Sequence, residues 1–146
     1  MSLKTKNLQT GVIFVTGLFP FQIEASSKFQ RSYKLLLKRH CKGDRQKETF
    51  IDTISELINR LASNPYLSDA NLEPLPKGLV ISDSWKFYKL RFRMPSLAGA
   101  SGQGRLMYLV SQNQKIIKLA WIYTHAEYGK RPEEQELKSL IRELLD

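Results

Sequence analysis

The most constraining stretch of the chain is Trp85 to Met94, where apolar and cationic residues alternate. Tyr88, Leu90, Phe92 and Met94 fall on one side of an extended chain, and Lys89, Arg91 and Arg93 on the other. A period of two marks a strand with one face on a core. Such a strand needs neighbours to complete its hydrogen-bond ladder and an apolar layer over its Tyr88 face. The neighbours follow in sequence. Pro95 to Gly104 is rich in glycine and small residues and reads as a flexible hairpin loop. Arg105 to Val110 and Lys115 to Tyr123 then form a second hairpin around Ser111-Gln112-Asn113-Gln114. Both later strands are largely apolar on both sides, which suits central positions.

The covering layer comes from earlier residues. Phe21-Gln22-Ile23-Glu24 alternates as a short strand. Ser26-Ser27 offers an N-cap, and Phe29, Tyr33, Leu36, Leu37 and His40 lie on one face of a first helix. Its other positions carry Lys28, Arg31, Lys34, Lys38 and Arg39, a face that reads as solvated. Cys41 to Asp44 breaks the helix, with Gly43 as its natural stop. Phe50, Ile54, Leu57, Ile58 and Leu61 give a second amphipathic helix, ended by Asn64-Pro65. Each helix has one apolar stripe, so the helical hairpin packs on a sheet. Residues 65 to 84, punctuated by Pro65, Asn71, Pro74, Pro76 and Gly78, read as a loop. In a third helix, Pro132 takes the first helical position, with Glu133 and Glu134 at the positive end of the dipole. Leu137, Leu140, Ile141, Leu144 and Leu145 form its stripe.

The predicted class is therefore α+β, in the order β-α-α-β-β-β-α: a small antiparallel sheet with an N-terminal helical hairpin packed on it and a C-terminal helix. The 146 residues suit a single domain. It divides into an N-terminal extension (1–20), a core (21–130) and the C-terminal helix (131–146). The apolar stretch from Val12 to Ile23 is interrupted by Gly17, Pro20 and Gln22. No clean cleavage site follows it, so it reads as an extra strand or arm rather than a signal peptide. No apolar run reaches the roughly 20 residues a membrane helix needs, and no membrane contact is expected.

Charge narrows the partners. Lysine plus arginine total 23 against 14 acidic residues, a balance of +9, which attracts phosphates, acidic proteins or anionic surfaces. Cys41 is the only cysteine, which excludes an internal disulfide and a Cys-rich zinc site and fits a reducing, cytoplasmic setting. The chain has no Walker loop, no GxGxxG, no HExxH and no Gly-x-Ser-x-Gly elbow. No metal and no cofactor is expected. What remains is cationic. If the glycine-rich loop closes a hairpin, Arg105 lies beside the end of the strand carrying Arg93. In an antiparallel meander the end of the last strand then brings His125 and Tyr128 to the same end of the sheet. Those residue types suit phosphodiester chemistry on RNA: arginine forks phosphate oxygens, while histidine, tyrosine, lysine and glutamate trade protons. Tyr108, Tyr123 and Trp121 read as core, and Trp85 and Phe87, which flank the basic strand, more as packing than as stacking platforms.

Several segments together resemble the RelE/ParE superfamily of bacterial toxins. The resemblance runs from Phe21-Gln22-Ile23-Glu24-Ala25-Ser26-Ser27-Lys28-Phe29, through Leu57 to Asn64-Pro65, to Trp85 through Arg93, then Gly104-Arg105-Leu106-Met107-Tyr108-Leu109-Val110 and Ile116 to Tyr123. It spans about residues 21 to 130. Its most specific part pairs Tyr88-Lys89-Leu90-Arg91-Phe92-Arg93 with Gly104 to Val110 across a loop. The resemblance implies a metal-independent mRNA endonuclease acting in the ribosomal A site by 2′-hydroxyl attack, held in check by a cognate acidic antitoxin. It implies that the basic strand clamps RNA through Lys89, Arg91 and Arg93, with Lys86 as a further RNA-binding residue. Arg105 would stabilise the transition state, and His125 or Tyr128 would assist proton transfer. Lys89 and Glu127 are the candidates for general base. The basic Lys42 to Lys47 loop, with Lys42 and Arg45, would reach ribosomal RNA. The same resemblance admits a gyrase inhibitor without nuclease activity, or a repurposed member that only binds RNA or protein.

Overall fold

The computed structural model describes residues 5–6, 14–15, 19–97, 99 and 102–146. The elements in chain order are β1 (Thr5–Lys6), β2 (Phe14–Val15), β3 (Gln22–Ala25), α1 (Ser27–His40) and α2 (Gly43–Ser63). They continue with β4 (Ala70–Leu72), β5 (Lys86–Arg93), β6 (Gln103–Ser111), β7 (Ile116–Thr124) and α3 (Glu134–Leu145). Among the described residues, β3, β7, β6, β5 and β4 form one sheet in that spatial order, and β1 pairs antiparallel with β2. The α+β class expected from the sequence holds. Of the N-terminal extension only β1, β2, Phe19 and Pro20 are described, so five of the twelve residues of the Val12–Ile23 arm and three residues of the glycine-rich loop lie outside the described residues.

Four local expectations change. The sheet is mixed: β3 runs parallel to β7, with Ile23 opposite Ile117 and Ala25 opposite Leu119. α1 starts straight off β3, with Ser26 N donating to Leu119 O of β7 at 3.1 Å. Residues 65 to 84 are not all loop, since β4 pairs antiparallel with β5, Asn71 opposite Lys89. Gly43 does not stop α1. The helix ends at His40 with Cys41 as its cap, and Gly43 (φ +75°) opens α2, so the basic Lys42–Lys47 segment is mostly helix rather than loop. Pro132 precedes the N-cap of α3, which is Glu133, whose side chain accepts from Gln135 N at 3.3 Å.

Each strand alternation separates two apolar layers. On one face Leu90, Leu106, Tyr108 and Val110 meet Phe29, Tyr33, Phe50, Ile54 and Leu61 from α1 and α2. The rings of Phe29, Tyr33 and Phe50 stack in series at 6.1 and 5.2 Å. Fully burying each such ring is worth roughly 1.5–3 kcal/mol. On the opposite face Phe87, Met107, Leu109, Trp121 and Tyr123 meet Leu137, Leu140 and Ile141 of α3.

A register shift between Met107 and Tyr108 inserts one extra residue into β7. Met107 faces Trp121, whereas Tyr108 faces Leu119, leaving Ala120 between them. This β-bulge reverses the alternation of β7. Ile117 and Leu119 point to the α1–α2 layer, while Trp121 and Tyr123 point to the α3 layer. Beyond Leu119 the outer edge of β7 is closed by α1: Ser26 Oγ donates to Ala120 O at 3.1 Å, and Ser32 Oγ accepts from Ile122 N at 3.1 Å. These contacts satisfy backbone groups that an edge strand would leave open.

Candidate functional site

α3 covers only part of its face of the sheet. The strand ends it leaves uncovered carry the predicted cations in rows set by the ladder. Arg91 stands directly opposite Arg105, and Arg105 directly opposite Tyr123. One row along, Arg93 stands opposite Gln103, whose carbonyl accepts from His125 N at 3.0 Å. One row back, Lys89 stands opposite Met107 and Trp121. The strand pairing thus brings together Lys89, Arg91, Arg93, Arg105 and the backbone of His125.

Arg105 is half-buried. Its Nη2 donates to Gln103 Oε1 at 2.8 Å and its Nη1 to Gly104 O at 3.1 Å, which fixes the fork. Burial and then the charge of Arg91 lower its pKa, offset by Tyr123 and Glu73. The guanidinium still remains charged at any physiological pH. Arg91 is exposed, and Arg93, also exposed, donates from Nη1 to Gly99 O at 3.0 Å. Like charges directly opposed across a ladder are destabilising. Arg91 and Arg105 are such a pair, and an anion between them would reverse the sign of the interaction.

Two members of the cluster come from loops that the sequence reading passed over. Glu73, immediately after β4, is held by its own backbone N–H to Phe87 O at 2.9 Å. Its carboxylate is nearly buried. It pairs with Lys89 Nζ at 3.3 Å and with Arg131 Nη1 at 3.0 Å. Arg131 lies just before α3. It also forks Glu134, with Nε to Oε2 at 2.8 Å and Nη2 to Oε1 at 2.7 Å, and donates to Pro74 O at 2.7 Å. Those partners raise its pKa, the Glu134 hydrogen bond most of all. The only local signal for Arg131 is its i, i+3 spacing to Glu134. Glu73 carries no periodic signal at all.

Tyr123 is core in its ring, as the sequence reading has it, yet its phenol meets the charged cluster. Burial and then Glu73 push its pKa well above the ordinary tyrosine value, against Arg105, Arg131 and Arg91. The group therefore stays protonated. Tyr128 packs edge-on against Trp121 and Tyr123, with centroids at 5.9 and 5.6 Å, and burial raises its pKa too. His125 is exposed at the strand end, and its ring has no hydrogen-bond partner among the described residues.

Other predicted residues stand elsewhere. Lys86 occupies the opposite parity of β5, opposite Val110, and so lies on the other face from Lys89, Arg91 and Arg93. Lys42 and Arg45 are exposed at the start of α2, which packs on that other face. Glu127 is a clamp. Its Oε1 accepts from Thr124 N at 2.8 Å and Thr124 Oγ1 at 2.6 Å, and its Oε2 lies 2.7 Å from His40 Nε2 and 3.7 Å from Arg39 Nη1. Burial alone would raise this carboxyl, but the Thr124 and His40 hydrogen bonds overcome it and hold it below the usual range. Among the described residues no group of three or more His, Cys, Asp or Glu could hold a metal ion, and no helix is long and apolar enough to cross a membrane.

No protein-family model matches the chain, and no curated protein matches it. Two solved structures are similar in fold. One is an archaeal RelE–RelB complex from Pyrococcus horikoshii OT3, 15% identical, with 72% of this chain and 94% of that chain covered and a TM-score of 0.43. The other is a doubly substituted mutant of the E. coli toxin RelE in the free state, 16% identical, with 88% of this chain and 100% of that chain covered and a TM-score of 0.44.

Proposed function

We propose that the chain is the toxin half of a toxin–antitoxin pair and a metal-independent, ribosome-associated mRNA endonuclease, with its active site at the uncovered end of the α3 face. The observation that carries this reading is the opposed Arg91–Arg105 pair with the nearly buried Glu73 carboxylate in the same cluster. The pair is a receptor for a phosphate, and the carboxylate is an acceptor for a proton.

In this reading Glu73 takes the proton of the RNA 2′-hydroxyl. Lys89 and Arg131 hold the carboxylate in place. The 2′-oxygen attacks phosphorus, the bond to the 5′-oxygen breaks, and the products are a 2′,3′-cyclic phosphate and a 5′-hydroxyl. Arg105 and Arg91 stabilise the charge that builds on the phosphorane oxygens. His125 gives its proton to the leaving 5′-oxygen, and Arg93 continues the phosphate track. Tyr128 orients the end of β7 rather than transferring a proton. Lys42 and Arg45 reach ribosomal RNA from the opposite face, and an acidic antitoxin neutralises the cationic rows.

The test is cleavage of one defined mRNA, free and on programmed ribosomes, by the native protein and by Arg105→Ala. Removing one such electrostatic donor costs on the order of 10²–10³ in rate. Ribosome-dependent cutting that falls by that amount supports the reading. Cutting of free RNA discards the A-site requirement. Absence of cutting in every arm moves the assignment to a gyrase inhibitor or a binding-only role, which a supercoiling assay separates.

A further inference from the structure

The face of β5 opposite the cationic rows holds a second feature that the proposed reaction does not use. At the Lys86 end of the strand, a cavity of about 370 Å³ opens between β5 and the residues just before it, the β6–β7 turn and the segment after α2. That size is at the lower end of the roughly 300–1,000 Å³ typical of small-ligand sites. Its floor is Tyr88 and Val110, and one wall is the ring of Tyr66. Tyr66 is 42% exposed although it is a large aromatic residue. It is held in place rather than loose: its hydroxyl donates to Gln112 Oε1 at 2.6 Å and its backbone N–H to Asn64 Oδ1 at 3.0 Å.

Behind Tyr66 the rings continue inward. Tyr66 meets Tyr88 at 5.7 Å, and Tyr88 stacks on Tyr108 at 5.7 Å with an interplanar angle of 13°. Tyr108 is anchored through its hydroxyl to Pro65 O at 2.6 Å. A ladder of rings fixed from the core outward, ending in an exposed ring, is a preformed stacking platform. The rim supplies what a base edge needs, the side-chain amides of Gln112 and Asn113 and the carboxylate of Asp83 with Ser84 beside it, which can accept from a base N–H, while Lys86 brings the positive charge of the lining. This also gives Lys86 a place, since it stands on this face and not with Lys89, Arg91 and Arg93.

We infer that this cavity is a nucleobase-binding pocket: one base of single-stranded RNA stacks on Tyr66, the Gln112 and Asn113 amides contact its edge, and Lys86 pairs with the neighbouring phosphate. The choice of RNA as the polymer rests on the proposed nuclease function, whereas the pocket's chemistry does not. Lys86 and Arg91 are five residues apart along β5, roughly 17 Å of backbone at about 3.3 Å per residue, and on opposite faces of the sheet, so one RNA strand reaches both only by passing around the sheet's edge, a longer path that several nucleotides cover. The pocket would then hold the RNA outside the cleaved bond and set a preference at that position.

The test is titration of the full chain with short fluorescent oligoribonucleotides, comparing the native protein with Tyr66→Ala, Tyr66→Phe, Lys86→Gln and Arg105→Ala. Loss of one stacked base lowers affinity by about five- to a hundredfold. Tyr66→Ala should show that loss and Tyr66→Phe should keep most of the affinity, because stacking needs the ring and not the hydroxyl. Lys86→Gln should reduce the salt dependence by about one counterion. Arg105→Ala should still bind at Tyr66. The inference is overturned if the native protein binds no oligonucleotide, if Tyr66→Ala binds as well as the native protein, or if Tyr66→Phe loses as much as Tyr66→Ala. Arg105-dependent cleavage together with Tyr66-independent binding sinks the pocket alone. Tyr66-dependent binding with no cleavage sinks the nuclease reading alone.

Discussion

Replacing Arg91 by Gln is expected to stabilise the free protein and to weaken its hold on phosphate. The two effects share one cause. Arg91 stands directly opposite Arg105, so their Cβ atoms are about 4.5–5.5 Å apart, and a charge separation of roughly 7 Å is taken for two long stems on that spacing. With an effective dielectric of about 40, between protein surface and water, the repulsion is about 1.2 kcal/mol. Screening over a Debye length of about 10 Å at 0.1 M salt halves it to about 0.6 kcal/mol. That lies within the roughly 0.2–1 kcal/mol range of cross-strand charge pairs. No ion pair of Arg91 occurs among the described residues to offset the gain. For a domain of this size it amounts to about 2 °C in Tm. Thermal melts at low and high salt are the assay. The gain should be largest at low salt and shrink as salt rises. Arg105→Gln should give a gain of the same sign, and the double variant less than the sum, because one repulsion can be removed only once. Added sulfate should raise the Tm of the native protein more than that of Arg91→Gln, since the anion binds the pair. A loss of stability at low salt, or a gain indifferent to salt, refutes the reasoning.

Three further outcomes are expected. Glu73→Gln should lower mRNA cleavage by about 10²–10⁴-fold, the usual contribution of a general base; unchanged cleavage by gel assay removes Glu73 from the mechanism. Glu127→Gln should cost about 1–3 kcal/mol in chemical denaturation, because Thr124 N and Oγ1 lose a charged acceptor. Glu127 has a lowered folded-state pKa, so its contribution is full above the unfolded value of about 4.3 and is lost as pH falls through the folded value. The gap between native and variant stability should therefore close on acidification, and a gap that widens contradicts the clamp. Gly104→Ala should destabilise by about 1–3 kcal/mol, because its Cβ would enter the ring of Phe92, the cross-strand partner; an unchanged urea midpoint means that the ring moves aside freely.

The elements legible in the sequence are those with a sustained period. β5 declared itself through ten alternating residues, and α1, α2 and α3 through their stripes. β4 did not, because three residues in a proline-punctuated segment carry no period and acquire strand geometry only by pairing with β5. Gly43 was ambiguous for a local reason: a glycine with positive φ serves one helix as a stop and the next as an entry, and the neighbouring sequence does not say which. Arg105 and Arg91 were legible as neighbours, since a hairpin fixes register. Glu73 and Arg131 were not, because they reach the cluster from loops whose course depends on where α3 packs. Lys86 is a different case: its parity on β5 already places it on the face opposite to Lys89.

The bulge at Ala120 ties these strands to the chemistry. Without it Ile117, Leu119, Trp121 and Tyr123 would share one face of β7, and one of the two apolar layers would lack its share of that strand. With it, Ile117 and Leu119 close the layer under α1, and Trp121 and Tyr123 turn toward α3 and the cations. A single unpaired residue therefore does two jobs that a regular ladder would set against each other, filling both layers and bringing a phenol beside Arg105. The bulge itself leaves no mark in the sequence, since Ile117 to Tyr123 is apolar throughout. It follows from the demands of the two layers. The Arg91–Arg105 opposition follows from neither. Packing would be as well served by any polar pair there, so the like-charge pair persists against local stability in a sheet that is otherwise consistent at every level, which is where a binding requirement rather than a folding one should be sought.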